Sequence, residues 1–490
     1  MFSSLRTSRQ FLGFRVSPSR KGFAIYRATG LLLGTWGASY WITTRHIHLD
    51  SHSHESRDSE KTMTPNGTPE SMSKSVLTQL KTLSTLSSYA PIDVSKRLNQ
   101  HAVSVIPQSG AGVSRYDVVQ VASNNPTEDD HSEAVLPVPS GFWSLFGVYD
   151  GHCGWETSAW LRENLIQAMA GALSDTYATK MLPDPDSPPT PTPEDIEKTF
   201  KDTFKRLDDD IVNVALEDVF KSPSRQRSLI ALAQADAGSC ALLSFYDSHS
   251  RLLHVAITGD SRAILGRKTK DKDGNPTYEV RLLSAEQDGK SPAEEARLNA
   301  LHPGEQVVKD GRVMGWGMAR AFGDARMKWD AETQKKLWHT YLGAYPRSNL
   351  KTPPYLTAEP EVTTTPIQPG DFLVMGSDGL WECLSSEEAV GLVGWWRDQK
   401  PSEHETEKPT LLPNELPVVG QDGEDKTVRY RLWGKSKKFV KQDQNVAVHV
   451  VRNALGGADS DLTAGLLSVR SQRSRSIMDD ITVTVVFFDE

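Results

Sequence analysis

Three cysteines in 490 residues, Cys153, Cys240 and Cys383, have neither paired nor metal-ligand spacing. That spacing argues against a disulfide framework and against structural zinc, and each cysteine is read as a small buried residue. An excess of positive charge is also missing. The formal net charge is −8, which excludes nucleic-acid binding by bulk electrostatics. No internal repeat divides the chain. What remains is an ordinary globular balance, 38% hydrophobic and 24% charged, long enough for one large domain with appendages.

A further absence is local. No Asp or Glu occurs before Asp50, while Arg6, Arg9, Arg15, Arg20, Lys21 and Arg27 recur among serines and apolar residues. Acid-free, Arg- and Ser-rich N-termini resemble mitochondrial transit peptides, so residues 1–49 are read as a presequence. Within it, residues 28–44 are apolar and uncharged, near the short limit for a membrane-spanning helix. That stretch is an inner-membrane tether, a sorting signal or part of the presequence. A cleaved presequence places the protein in the matrix, and a retained stop-transfer helix places it in the intermembrane space. Residues 50–73 are polar and read as a linker.

Residues 74–490 are globular in pattern. Two stretches interrupt them: a proline-rich surface loop at 182–193 and a charged, poorly periodic insertion at about 397–441. Unbroken apolar runs predict strands at 143–149, 240–246, 252–258, 262–266, 372–376 and 481–488. The second and third are close enough for an antiparallel hairpin. Helices are expected at 156–173, 193–213, 292–300, 386–396 and 444–455, with Ser291 as a cap and Pro292 in the first turn. Hairpins with separate long helices indicate an α+β layered domain.

The chemistry sits where the strands stop. The run ending at Tyr149 gives way to Asp150-Gly151-His152; the run ending at Thr258 leads to Gly259-Asp260; the run ending at Gly376 leads to Ser377-Asp378. Asp479-Asp480 precedes the final strand, and Glu128-Asp129 lies upstream of the first. One aspartate at a strand end is usually a turn residue. Carboxylates at several strand ends can converge on one rim, where they repel one another and need a cation. An all-oxygen set with no His or Cys partner selects Mg²⁺ or Mn²⁺ over zinc.

Asp150-Gly151-His152, Gly259-Asp260-Ser261-Arg262, Arg320-Ala321-Phe322-Gly323-Asp324, Ser377-Asp378-Gly379-Leu380-Trp381 and Asp479-Asp480-Ile481-Thr482-Val483 follow one another in the order of a known family. On these motifs the chain from about residue 90 onward resembles the type 2C metal-dependent protein phosphatases, the PPM family. Asn125-Pro126-Thr127-Glu128-Asp129, His302-Pro303, Trp329 and residues 353–362 resemble its mitochondrial pyruvate dehydrogenase phosphatase branch. The resemblance implies a central antiparallel β-sandwich flanked by helices, with a binuclear metal site at one edge. It implies that Asp150 bridges two Mg²⁺ or Mn²⁺ ions and that the Gly151 carbonyl ligates one of them. Asp378 and Asp479 would ligate the other, and Glu128 and Asp129 would contact metal directly or through water. Asp260 and Asp378 match positions linked to a third ion in some members. His152 is the candidate general acid. Many members carry an Arg at the position of Asn124 that grips the substrate phosphate, and this chain has none there.

The implied substrate is a phosphoprotein, the E1α subunit of the pyruvate dehydrogenase complex, with the E2 core of that complex as a further partner. The alternatives are another mitochondrial phosphoprotein as substrate, or a non-catalytic binding module on the same fold. Gly315–Arg320 is expected to be a structural bend, and the segment with Trp329, Trp338 and Tyr341 a substrate-side flap. Cys153 is expected to pack.

Overall fold

Strands that are apolar at every position need apolar partners on both faces. The computed structural model, which describes residues 92–180, 190–398, 408–420, 427–469 and 474–489, meets that need by stacking two antiparallel sheets. One has six strands in the order Val103–Val105, Val113–Val121, Ile481–Phe488, Phe372–Gly376, Arg262–Lys270, Pro276–Leu282. The other has five, in the order Glu361–Pro366, Leu252–Thr258, Ala241–Asp247, Gly141–Tyr149, Asp130–Val138.

Side chains alternate between two environments along each strand. In Gly141–Tyr149, Phe146 and Val148 point into the space between the sheets. Trp143, Leu145 and Tyr149 point the other way, onto the helices Glu156–Thr179 and Pro193–Asp209. In Phe372–Gly376, Leu373 and Met375 face the other sheet, while Phe372 and Val374 face the helices Ser386–Asp398 and Val446–Ala454. The result is four layers, helix–sheet–sheet–helix, of the α+β class.

Local sequence explains why the helices begin where they do. Thr192 and Asp195 form a reciprocal capping box with Pro193 in the first turn. Asn445 accepts from the Val448 N–H at 2.9 Å, and buried Asp117 from the six-stranded sheet accepts from the Val446 N–H at 2.6 Å. Ser291 begins its helix without a side-chain cap; Asp288 accepts from the Ser291 N–H at 3.0 Å instead.

All described residues belong to the unit Tyr89–Glu490. The expected presequence 1–49, the apolar stretch 28–44, the linker 50–73 and most of the loop 182–193 lie outside the described residues. Among the described residues no helix is long and apolar enough to cross a membrane. The expected insertion at 397–441 does more than decorate the surface. Its two-residue strands Thr410–Leu411 and Phe439–Val440 pair with each other, and Leu416, Tyr430, Phe439 and Val440 are buried. Elements that short leave no periodicity to read.

Phe146 is buried between the sheets with Tyr116 edge-on at 5.1 Å. Phe146→Ala is expected to destabilise the domain by about 3–5 kcal/mol, read as a lower urea midpoint with an unchanged slope.

Candidate active site

Three strand ends from both sheets reach one rim. Asp150 follows Gly141–Tyr149, Asp260 follows Leu252–Thr258, and Asp378 follows Phe372–Gly376 by two residues. One carboxylate oxygen from each lies within 4.8 Å of the others. The Asp378 backbone N–H donates to Asp150 Oδ2 at 3.2 Å, which ties the two sheets together at this point. Both carboxyls are shifted well above the ordinary carboxylate range. Burial is the main cause, followed by their neighbours' negative charge: Asp378, Asp129 and Asp260 act on Asp150, while Asp260 and Asp479 act on Asp378. Asp260 is raised by burial as well, and it accepts the Cys240 thiol at 3.1 Å.

The other predicted acids lie around this trio in different roles. Asp129 is buried, accepts the Ser377 hydroxyl at 2.8 Å, and is pushed up to about 8 by burial and by the charge of Asp480. The Glu128 carboxylate accepts the Gly154 N–H at 2.7 Å and pairs with Arg475. Asp479 accepts the Asp480 N–H at 2.8 Å and lies 3.8 Å from the Arg475 guanidinium. Glu128 and Asp479 are therefore not in the three-carboxylate group, although Asp479's charge contributes to the upward shift of both Asp150 and Asp378.

Asp480 has a job the sequence did not separate from that of Asp479. Its carboxylate accepts from the Ser123 N–H at 2.6 Å, the Ser123 hydroxyl at 2.8 Å, the Thr127 hydroxyl at 3.0 Å and the Glu128 N–H at 2.7 Å. It clamps the loop that presents Glu128 and Asp129. Asn124 lies in this loop, its N–H 3.4 Å from the same carboxylate.

Two glycines let backbone and ring approach. A Cβ on Gly151 would stand 2.1 Å from the Glu128 carbonyl oxygen, so only Gly fits between Asp150 and the acidic loop. A Cβ on Gly238 would stand 2.1 Å from His152 Nε2. Gly151–His152 pairs with Gly238–Ser239, which pairs with Phe322–Gly323. That third, three-stranded sheet carries His152 to Asp324, where Nε2 and Oδ2 are 2.7 Å apart. Burial would lower the imidazole's pKa, but the charge and hydrogen bond of Asp324 outweigh it and the net shift is upward. Asp324 belongs to a motif the sequence singled out, yet nothing in the chain order hinted that it partners a histidine 172 residues away.

Other expected roles change. Cys153 is exposed, with a left-handed φ of 59°, instead of packed. Its thiol is shifted up by partial burial and by the charges of Asp324 and Glu128, which keeps it out of the reactive thiolate form. Trp329 and Tyr341 are core residues, and Trp329 donates to the Val212 carbonyl at 3.2 Å; of that segment's three large aromatics only Trp338 is exposed. Arg320 is buried in a pair with Glu294 at 2.6 Å, consistent with a structural motif.

These donors suit a hard divalent cation. The carboxylates are desolvated and repel each other, and among the described residues no lysine or arginine pairs with Asp129, Asp150, Asp260 or Asp378. Protons or cations must offset that charge, and oxygen-only ligands favour Mg²⁺ or Mn²⁺.

Comparison with known proteins shows the family. The family model described as Protein phosphatase 2C matches residues 127–414, more than half of the chain. A protein phosphatase 2C homolog of Schizosaccharomyces pombe is 40% identical over 81% of this chain and 85% of its own length. The mitochondrial pyruvate dehydrogenase (acetyl-transferring) phosphatase 1 of Saccharomyces cerevisiae is 35% identical over 81% of this chain and 72% of its own. The protein of that name from Homo sapiens is 30% identical over 80% of this chain and 81% of its own. With strand-end carboxylates gathered at one rim and this similarity running through most of its length, the chain belongs to the protein phosphatase 2C family, on the branch of the pyruvate dehydrogenase phosphatases.

Proposed function

We propose that this protein phosphatase is a Mg²⁺- or Mn²⁺-dependent enzyme that removes phosphate from serine or threonine on the E1α subunit of mitochondrial pyruvate dehydrogenase. The observation that carries the chemistry is the meeting of Asp150, Asp260 and Asp378 within 4.8 Å at the ends of three strands. Support for the substrate comes from the names of the relatives, and support for a mitochondrial location from those names and the acid-free N-terminus.

In this reading Asp150, the Gly151 carbonyl, Asp378 and Asp479 hold two cations. Glu128 and Asp129 complete the shell, and Asp260 with Asp378 holds a third. Bound there, divalent cations lower the pKa of a water and offset the negative charge of the phosphoryl oxygens. The chain's own groups do the rest. His152, oriented by Asp324 and biased by it towards the charged form, donates a proton from its ring to the departing serine or threonine oxygen. Asp480 keeps Glu128 and Asp129 in register with the strand ends. No protein nucleophile is required, in accord with the raised thiol of Cys153.

Asp150→Ala and Asp378→Ala are each expected to lower kcat on a phosphoserine peptide at least about a hundredfold while the fold persists. Circular dichroism checks the fold, and activity within a few-fold of the parent would exclude these residues as ligands. EDTA is expected to abolish turnover and added Mn²⁺ to restore it.

Raised carboxyls hold protons that a cation must displace. Asp129, at about 8, is largely protonated at neutral pH in the metal-free protein, and burial shifts Asp150 and Asp378 in the same direction. Mn²⁺ affinity is therefore expected to climb from about pH 6 to about pH 8 with net proton release, seen by calorimetry in buffers of different ionisation enthalpy. A flat profile would contradict the assignment.

For the substrate, quantitative phosphoproteomics of mitochondria lacking this chain is expected to show raised E1α phosphorylation. Unaltered E1α with a rise elsewhere would redirect the proposal to another phosphoprotein.

A further inference from the structure

A phosphate monoester brings up to two negative charges to a rim already lined by Glu128, Asp129, Asp150, Asp260, Asp378, Asp479 and Asp480. Positive charge from the chain itself would help to hold it. Among the described residues Arg475 is the one lysine or arginine whose side chain pairs with any of those seven acids: it contacts Glu128 and lies 3.8 Å from Asp479. The neighbouring cations are committed elsewhere. Arg262 pairs with Glu286, Arg429 with Glu382, Arg320 with Glu294, and Lys328 with Asp208.

The base of Arg475 is fixed. The Ser474 carbonyl accepts from the Ile477 N–H at 2.8 Å and the Met478 N–H at 2.9 Å, closing a tight turn over Ser474–Ser476. Met478 is buried, and the Trp433 indole donates to the Ile477 carbonyl at 3.0 Å. The side chain therefore leaves a pinned turn and reaches the rim with 40% of its surface still in solvent. Its charge is secure, because a guanidinium is not deprotonated in proteins.

Among the described residues most of its donors meet no protein acceptor. A guanidinium has five N–H groups in a planar fork. One nitrogen, Nη1, bonds Glu128, and Nε at 3.8 Å from Asp479 is too far for a hydrogen bond. A charged fork on a pinned turn, with spare donors beside these acids, is suited to two oxygens of a phosphoryl group.

We infer that Arg475 is a substrate-binding residue that grips the phosphoryl group, entering the site from just before the Ile481–Phe488 strand. This rests on the phosphatase reading above. Once cations share the charge of Glu128 and Asp479, the guanidinium is free to turn its fork towards the substrate. The competing role is that of a strut, in which Arg475 only positions Glu128.

The full chain, Arg475→Ala and Arg475→Lys, each saturated with Mn²⁺, separate the two. Calorimetry measures inorganic phosphate binding and Mn²⁺ binding directly, steady-state kinetics give KM and kcat on a phosphoserine peptide, and melting temperature checks folding. Arg475→Ala is expected to weaken phosphate binding and raise KM by about tenfold to a hundredfold, with Mn²⁺ affinity within about threefold of the parent. Arg475→Lys should recover part of the phosphate affinity, since it keeps the charge and loses the fork. Phosphate affinity unchanged within about twofold in Arg475→Ala overturns the inference. So does a loss that follows a matching fall in Mn²⁺ affinity, which identifies the strut. If phosphate binding depends on Arg475 but the parent turns over no phosphopeptide, the inference stands and the proposed function fails.

Discussion

Mutual repulsion among desolvated carboxylates is the constraint on which the rest of this structure depends. Asp150, Asp260 and Asp378 converge at the rim, and Asp129 is buried beside them. Groups placed so would separate if they could, because burial and like charge both disfavour the ionised forms. Asp150, Asp260 and Asp378 stay together because each is anchored within two residues of a strand end whose side chains are packed on both faces. The sandwich is thus a frame that holds an unfavourable charge arrangement until a cation or a proton offsets it. The direct bond from the Asp378 N–H to Asp150 is where the two sheets meet on this task.

Precision around the trio comes from small, local devices. One carboxylate, Asp480, gathers five donors of the Ser123–Glu128 loop. Two missing side chains, at Gly151 and Gly238, let that loop and the His152 ring approach within distances no Cβ allows. One buried aspartate, Asp324, holds the histidine and biases it towards the charged form. Each fixes the position of a group that does the chemistry.

Much of this was legible in the chain, and the division follows physical lines. Strands packed on both faces announce themselves as apolar runs: 252–258, 372–376 and 481–488 are as the sequence predicts. Val113–Val121, Asp130–Val138, Pro276–Leu282 and Glu361–Pro366 were missed, because partly exposed or edge strands carry polar residues that blur the signal. The carboxylates were visible from their positions at strand ends. Their grouping was not: nothing in the order of residues tells that Glu128 and Asp479 meet Arg475 while Asp260 joins Asp150 and Asp378. The segment with Trp329, Trp338 and Tyr341 suggests a flap in the sequence and supplies two core residues instead, because aromatic residues near a site look alike whether they cover it or support it from below.

The strand Ile481–Phe488 lies in the middle of the six-stranded sheet, between Val113–Val121 and Phe372–Gly376, and Val121 pairs with Ile481. Without this strand the sheet is split, and without the segment just before it the site lacks Arg475, Asp479 and Asp480. The loop at Ser123–Glu128 then has no carboxylate to gather it. Closing so long a loop in sequence is slow. The centre therefore depends on a contact between Ser123 and Asp480, 357 residues apart in the chain, and on the strand that follows Asp480.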